Sequence, residues 1–242
     1  RLGQLPRTRK WRDVVELVAV GADVSQVANA TIRAADSAFS FVNNDSGYNQ
    51  AVWLMTQLGL AAGEKDPLKY LRSQGIDIPD NTSLPGVAAA ITQALDNHSE
   101  SNGGHSALGE LSQRALVDAV IQCMEPKLRQ QYLFNMQADD TERALADFRK
   151  PREFGQLSRA FYSRLTNECM NYFLSQTLAS NLGEGQRFPT TNQMAQFEDA
   201  LATHCKEASA IVEQFSNEWF SKHRYEEQGN ISRDSVRGFA SW

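Results

Sequence analysis

Residues 197–219, FEDALATHCKEASAIVEQFSNEW, decide the fold class of this chain. Their apolar side chains recur in steps of three and four residues, which places them on one stripe of an α-helix. The stripe comprises Phe197, Leu201, Cys205, Ala208, Val212, Phe215 and Trp219. No Gly or Pro occurs in residues 193–222, and Thr190 with Gln193 has the spacing of a capping box. The pattern predicts one uninterrupted helix about 45 Å long, because each helical residue adds about 1.5 Å.

The segment before it has the same periodicity. A second apolar stripe with a four-residue repeat comprises Leu157, Phe161, Leu165, Cys169 and Phe173, with the neighbouring Tyr172. Gly183 can end that helix, and the connection over 183–189 is short, so the two helices should lie antiparallel. No convincing pair of strands competes with this interpretation. We therefore predict an all-α fold, an irregular helical bundle with two long antiparallel C-terminal helices.

Shorter helices are predicted for the rest of the chain from their end signals. Asp66 and Pro67 should begin a short helix that Gly75 ends, because these residues favour the N-terminus and the C-terminus respectively. Ser25 is the predicted N-cap of a helix that carries Ile32 on its apolar side.

A candidate domain boundary lies in the middle of the chain. Residues 99–104, SESNGG, contain no apolar side chain and two adjacent glycines, a composition typical of flexible linkers. We predict an N-terminal helical subregion over 1–98, a flexible linker over 99–104 and a C-terminal helical bundle over 105–242. The alternative is one continuous domain.

Composition limits the class of protein. A chain of 242 residues with 41% hydrophobic content can build a core. The formal charge of -5 argues against a nucleic-acid-binding protein that contacts the phosphate backbone with its whole surface. Three cysteines, an odd number, lie at apolar helical positions and indicate reduced thiols and a cytoplasmic location. No apolar run is long enough to span a membrane, so we expect no membrane association.

No motif for catalysis, a metal or a cofactor is visible. None of the four histidines has the HExxH, ExxH or Cys-x-x-Cys spacing that would place ligands together. His204 and Cys205 are adjacent, but neighbouring side chains on a helix point about 100° apart. The acidic clusters at 139–142 and 226–227 are typical of a helix N-terminus and a solvated turn. We therefore predict no catalytic, metal or cofactor residues and a protein that is not an enzyme.

The start of the chain carries a basic arm, formed by Arg7, Arg9, Lys10 and Arg12. These residues flank Trp11 and precede the first acidic residue. Such an arm can bind nucleic acid or an acidic partner. The competing interpretation is a solvated flank whose tryptophan packs inward, and the acidic composition of the whole chain favours it.

The end of the chain is rich in aromatic residues. After a break at 229–230, Ser232 can cap a short helix that carries Val236 and Phe239 on one side. Aromatic density of this kind belongs either to a core or to a docking face. We predict that Trp219, Val236, Phe239 and Trp242 form one surface that partly closes the bundle and partly binds another protein.

Several stretches resemble the QatB-type helical subunit of bacterial Qat antiphage defence operons. They are residues 9–12 (RKWR), 24–27 (VSQV), 33–35 (RAA), 110–119 (ELSQRALVDA), 219–222 (WFSK) and 238–239 (GF). The resemblance implies an accessory protein that works beside an ATPase, a QueC-like nucleotide-chemistry enzyme and a TatD-like nuclease. The expected function is a non-enzymatic interaction subunit that partners a QueC-like enzyme. The alternative is a nucleic-acid-binding module that uses the basic arm.

Overall fold

The computed structural model describes residues 9–39, 42–132 and 140–241, with only the backbone described at 36–39 and 130–132. Within these residues the chain forms α-helices and two short 3-10 turns, but no strand. The predicted all-α class is confirmed. The helices are α1 (Arg9–Ala19), α2 (Val24–Phe39), α3 (Ser46–Ala61), α4 (Pro67–Ser73), α5 (Leu84–Ser101), α6 (Ala107–Tyr132), α7 (Asp140–Ala146), α8 (Pro151–Ser180), α9 (Thr191–Ala208), α10 (Ala210–Glu226) and α11 (Arg233–Ala240).

The chain divides into two compact units. Unit 1 consists of the described residues of Arg1–Phe41 and Ser163–Ala208, and unit 2 of those of Val42–Tyr162 and Ser209–Trp242. The boundary that we predicted at residues 99–104 lies inside unit 2. Helix α5 continues to Ser101, whose hydroxyl donates to the Asn97 carbonyl at 2.8 Å, because serine, glutamate and asparagine do not by themselves end a helix. Only residues 102–104 form a turn.

End signals of the short helices are confirmed in one case and wrong in another. Asp66 caps α4 by accepting from Lys69 N at 2.9 Å, and Ile76 N donates to Leu71 O after Gly75. For α2 the cap is Asp23 rather than Ser25, because Asp23 Oδ1 accepts from Gln26 N at 2.8 Å and Gln26 Oε1 accepts from Asp23 N at 3.2 Å. This reciprocal pair satisfies two backbone donors, which a lone serine cannot do.

The long helix predicted for residues 193–222 is broken at Ser209 into α9 and α10. Its beginning is confirmed, since Thr190 and Gln193 exchange capping hydrogen bonds, and Phe197, Leu201 and Cys205 are buried. After the break the buried side of α10 consists of Ser216, Trp219 and Phe220. The predicted stripe is therefore interrupted at the break: Ala208 is exposed, Val212 and Phe215 are only half-buried, and Trp219 alone of its later members is buried.

Helix α10 runs antiparallel to the first part of α8 in unit 2. The Phe154 and Phe220 rings stack with centroids 4.2 Å apart, and further along α8 Arg159 Nη1 donates to Glu213 Oε2 at 3.0 Å. A Cβ atom at Gly155 would lie 2.5 Å from the Glu213 carbonyl oxygen. Glycine at this position therefore allows the two backbones to approach closely.

Unit 1 is organised around α1, α2, the last part of α8 and α9. Trp11 of α1 packs on Phe173 of α8 with ring centroids 6.4 Å apart, and Val14 and Val18 are fully buried. Ile32 of α2, which we predicted on the apolar side, is largely exposed. The inner side of α2 is instead formed by Val27, Ala28, Thr31, Ala34 and Ala35.

Arg187 holds the C-terminal end of α1. Its guanidinium donates to the carbonyl oxygens of Val18 at 2.9 Å and Ala22 at 2.5 Å, with a longer contact to Leu17 at 3.4 Å. It also lies over the rings of Phe188 and Phe197, at 5.1 and 4.7 Å from their centroids. The last carbonyl groups of a helix lack intrahelical partners, and a cation there is favoured by the helix dipole. One side chain therefore ties the α8–α9 connection to α1.

We expect Arg187→Ala to lower the free energy of unfolding by about 1–3 kcal/mol, because carbonyl groups lose a charged donor and two rings lose a cation. Urea titration followed by circular dichroism measures the change. Arg129→Ala is the matched control, since the Arg129–Glu125 pair lies on one exposed helix surface and such pairs contribute about 0.5 kcal/mol or less. Equal effects of the two substitutions would contradict the assigned role of Arg187.

None of the helices described is long and apolar enough to cross a lipid bilayer.

Candidate functional site

The predicted docking residues of the chain end belong to the core of unit 2. Trp219, Val236 and Phe239 are all buried. The Phe239 ring stacks on Trp219 with centroids 4.4 Å apart and lies parallel to Phe215 at 5.9 Å. Trp242 lies outside the described residues. Three of the four predicted docking residues are therefore covered while α11 is in place, in keeping with a surface that closes the bundle; binding of a partner by this surface stays a prediction.

The turn before α11 explains why these residues are buried. Gln228 and Gly229 both adopt positive φ, 52° and 86°, and Gly229 N donates to Arg224 O at 2.8 Å. Ser232 then caps α11 by accepting from Ser235 N at 3.3 Å, while its own N–H donates to Glu227 Oε2 at 2.7 Å. The chain reverses at this turn, so α11 folds back onto the aromatic residues of α10.

Two polar contacts fix α11 on α3. Near the C-terminal end of α11, the Ala240 carbonyl accepts from the hydroxyl of Tyr48 in α3 at 2.7 Å. At its N-terminal end, Arg233 Nη1 donates to Gln50 Oε1 at 3.1 Å, and the guanidinium carbon lies 4.2 Å from the Trp53 ring centroid. The contacts of Arg233 with Gln50 and Trp53 could not be predicted from the sequence, because they join residues about 180 positions apart.

The basic arm is solvent-exposed where the structure describes it. Arg9, Lys10 and Arg12 lie on the exposed side of α1, whereas Trp11 points into unit 1; Arg7 lies outside the described residues. Asp13 and Glu16 follow one turn later and are also exposed, so the positive charge is local. Counted from the sequence, unit 1 has equal numbers of acidic and basic residues, and unit 2 carries the entire charge of -5.

One histidine contacts a serine hydroxyl. His98 Nε2 lies 2.7 Å from Ser46 Oγ at the start of α3, and the Asn102 amide nitrogen lies 3.4 Å from His98 Nδ1. Either ring nitrogen can carry the proton, so the tautomer of His98 decides whether Ser46 Oγ donates or accepts this hydrogen bond. Burial and the charge of Arg233 lower the pKa of His98. The lowered pKa favours the neutral ring, which can be a donor or an acceptor toward Ser46.

The cysteines are packed rather than reactive. Cys205 is buried, as its place on the apolar stripe predicted, and His204 beside it is half-buried. Burial raises the pKa of Cys169 to about 12 and those of Cys123 and Cys205 to about 11. Thiols with such pKa values are protonated at neutral pH and are poor nucleophiles. None of the three cysteines forms a disulfide within the described part of the chain.

Carboxylates and grooves supply no convergent site within the described residues. Asp140 at the start of α7 is buried and pairs with Arg143 at 3.3 Å, and no group of three or more His, Cys, Asp or Glu side chains there could hold a metal ion. A groove of about 380 Å³ between α5 and α6 contains Arg114 together with Asp96 and Asp118, so its charges are mixed. Gln113 already donates to Asp96 Oδ1 at 2.8 Å in this groove.

Comparison of the chain with protein-family models, with curated proteins and with solved structures finds no match. The resemblance to the QatB-type subunit therefore stays a prediction.

Proposed function

We propose that this chain is a non-enzymatic helical interaction subunit of a multi-protein bacterial complex, and that it partners a QueC-like enzyme in antiphage defence. The stretches that resemble QatB-type subunits support the proposal; those described lie in α1, α2, α6, α10 and α11. The proposed partner surface belongs to unit 1. It replaces the end of the chain, whose aromatic side chains pack in the core of unit 2.

Exposed apolar side chains on unit 1 carry the proposal. Val20, directly after α1, is 72% exposed, and Val15, Ile32 and Tyr172 are 39%, 47% and 42% exposed. Arg9, Lys10 and Arg12 lie on the exposed side of the same α1 helix. Aromatic residues and arginine are enriched at protein interfaces, and apolar side chains gain free energy when a partner removes them from water. Exposed apolar side chains beside arginines therefore fit a surface that binds another protein better than a surface that stays in contact with water.

The test is co-expression with a QueC-like enzyme, followed by light scattering on the eluted complex. We expect a complex of defined stoichiometry that Val20→Asp weakens about tenfold or more, because an acidic group replaces a buried apolar contact. Tyr225→Asp is the control: Tyr225 is 87% exposed but belongs to unit 2, so its substitution should leave the affinity within about twofold. Thermal melting of both variants checks the fold.

Absence of a complex, or equal weakening by the two variants, would contradict this assignment.

The second candidate function is nucleic-acid binding, favoured by the exposure of Arg9, Lys10 and Arg12 and by the absence of an acidic residue from the first turn of α1. In that case the chain should bind single-stranded DNA with an affinity that falls steeply with salt. Replacement of these three residues by Gln should abolish that binding.

A further inference from the structure

The turn after α5 contains the only asparagine in the sequence that is followed by glycine, Asn102. Asparagine is thermolabile, because the backbone nitrogen of the next residue can attack the carbon of its side-chain amide. Glycine as the next residue leaves that nitrogen most accessible, since it has no Cβ atom. Among the asparagines of this chain, Asn102 therefore has the sequence setting most open to this attack.

The structure leaves the attacking nitrogen accessible. Asn102 and Gly103 are solvent-exposed, and no described residue beyond the two chain neighbours of Gly103 lies within 4 Å of the place that its Cβ would occupy. The N–H groups of Asn102 and Gly104 donate to Ser99 O at 3.1 and 2.8 Å, whereas that of Gly103 donates to no described residue. Asn102 has ψ 32°, so attack requires this peptide to rotate. In an exposed turn with two adjacent glycines, that rotation is not blocked by packing.

The side chain of Asn102 also contacts the residue that joins α5 to α3. Asn102 Nδ2 donates to the His98 carbonyl oxygen at 2.8 Å and lies 3.4 Å from His98 Nδ1. This carbonyl group is one of the last in α5, where intrahelical donors are lacking. His98 Nε2 in turn lies 2.7 Å from Ser46 Oγ at the start of α3. A chemical change at position 102 therefore reaches the contact between the two helices.

We propose that Asn102 is a site of spontaneous deamidation, which replaces a neutral amide at the end of α5 with a carboxylate beside His98. The Gly103 nitrogen loses its proton and bonds to Asn102 Cγ, and the bond from Cγ to the amide nitrogen breaks. That nitrogen takes up a proton and leaves as ammonia. Water then opens the cyclic imide at either carbonyl and gives aspartate or isoaspartate. The net reaction consumes water and releases ammonia, and it needs no oxidant or reductant.

The product differs from the amide in charge and in hydrogen bonding. A carboxylate cannot donate to the His98 carbonyl, and its charge lies at the C-terminal end of α5, where the helix dipole disfavours it. In the unmodified chain, burial and the charge of Arg233 lower the pKa of His98. A carboxylate near Nδ1 favours the charged ring and therefore raises this pKa. The ring of His98 thus reports the reaction independently of the mass of the product.

The test incubates the folded chain in mildly alkaline buffer and follows its peptides by mass spectrometry. Replacement of the amide by a carboxyl group raises the mass of a peptide by about one dalton. Asn230 is the internal control, because it is also exposed in a turn but is followed by Ile231. We expect conversion at Asn102 to be about tenfold or more faster than at Asn230, since a branched side chain shields the attacking nitrogen.

Gly103→Ala should slow conversion about tenfold or more, because its Cβ atom shields the nitrogen. Alanine is strained at the φ of 94° found here, so Asn102→Gln is the second variant. It keeps an amide but must close a larger ring, and it should convert far more slowly. Circular dichroism checks the fold of both variants.

The deamidated chain, separated by ion exchange, should show a His98 ring signal that titrates at higher pH than in the unmodified chain. The signal lost in His98→Gln identifies this ring by NMR. The proposal is overturned if conversion at Asn102 is no faster than at Asn230, if either variant converts as fast as the unaltered chain, or if the titration of His98 does not move upward.

Discussion

Phe239→Ala should lower the free energy of unfolding by about 3–5 kcal/mol, the cost typical of removing a buried aromatic ring. The ring is 4% exposed and stacks on Trp219, with Phe154 6.3 Å away on another side. Alanine would leave a cavity between rigid rings that cannot easily collapse into it. Urea titration followed by circular dichroism gives the change from the midpoint and the slope.

Arg237→Ala is the matched control for Phe239. Arg237 lies on the exposed side of α11, so its truncation should change the free energy of unfolding by no more than about 0.5 kcal/mol. If Phe239→Ala left stability unchanged but weakened a complex with a partner, α11 would not be held in the core. The docking interpretation of the chain end would then be correct.

The size of the expected effect follows from the way in which unit 2 uses its aromatic residues. Phe154 stacks on Phe220 with centroids 4.2 Å apart and also contacts Phe239. Gly59 of α3 faces the same rings, and a Cβ atom there would lie 2.9 Å from both Phe154 and Phe220. Four helices, α3, α8, α10 and α11, thus meet around one aromatic cluster. The buried aromatic residues of α10 and α11 therefore pack in the core of unit 2.

The periodicity of the sequence predicted the helices well because burial follows the period of the helix. Phe197, Leu201 and Cys205 are buried as their spacing required. Leu157, Phe161, Leu165, Cys169 and Phe173 are likewise buried along α8, whereas the neighbouring Tyr172, predicted on the same stripe, is 42% exposed. Burial at these positions follows from the helical repeat and from the single apolar side of each helix. Both features are visible in one amino-acid sequence.

The break at Ser209 could not be predicted, since no Gly or Pro marks it. It accompanies a change in packing: Ser216 and Phe220 face inward, and α10 approaches α8 closely at Gly155. A continuous helix would instead have placed Val212 and Phe215 on the inner side. Whether the helix breaks depends on the surface of α8 against which α10 packs. That surface is shaped by Gly155, about 60 residues earlier in the chain. Tertiary packing therefore overrides the local pattern here.

The contacts that hold the start of α11 on α3 could not be predicted from the sequence for a related reason. Ser232 marks the start of α11, so it places Arg233 at a helix N-terminus, where a cation is disfavoured by the dipole. That signal could have drawn attention to Arg233. Its contacts with Gln50 and Trp53 could not be inferred, because they exist only once α11 has folded onto α3.

Leu201→Ala should lower the free energy of unfolding by about 2–5 kcal/mol, the range for leucine truncation in a packed core. Leu201 is fully buried in α9, between Phe197 and Cys205 on the same stripe. Alanine keeps the helix propensity high, so the loss reports packing rather than backbone preference. The measurement is the urea midpoint at a constant slope.

Val20→Ala is the control for this truncation, because it shortens an apolar side chain of the same unit at an exposed position. It should change the free energy of unfolding by no more than about 0.5 kcal/mol. A similar small effect of Leu201→Ala would mean that α9 is not docked through this stripe. A large effect of Leu201→Ala confined to one of two unfolding transitions would show that unit 1 unfolds separately, since a core substitution destabilises only the cooperative unit that contains it.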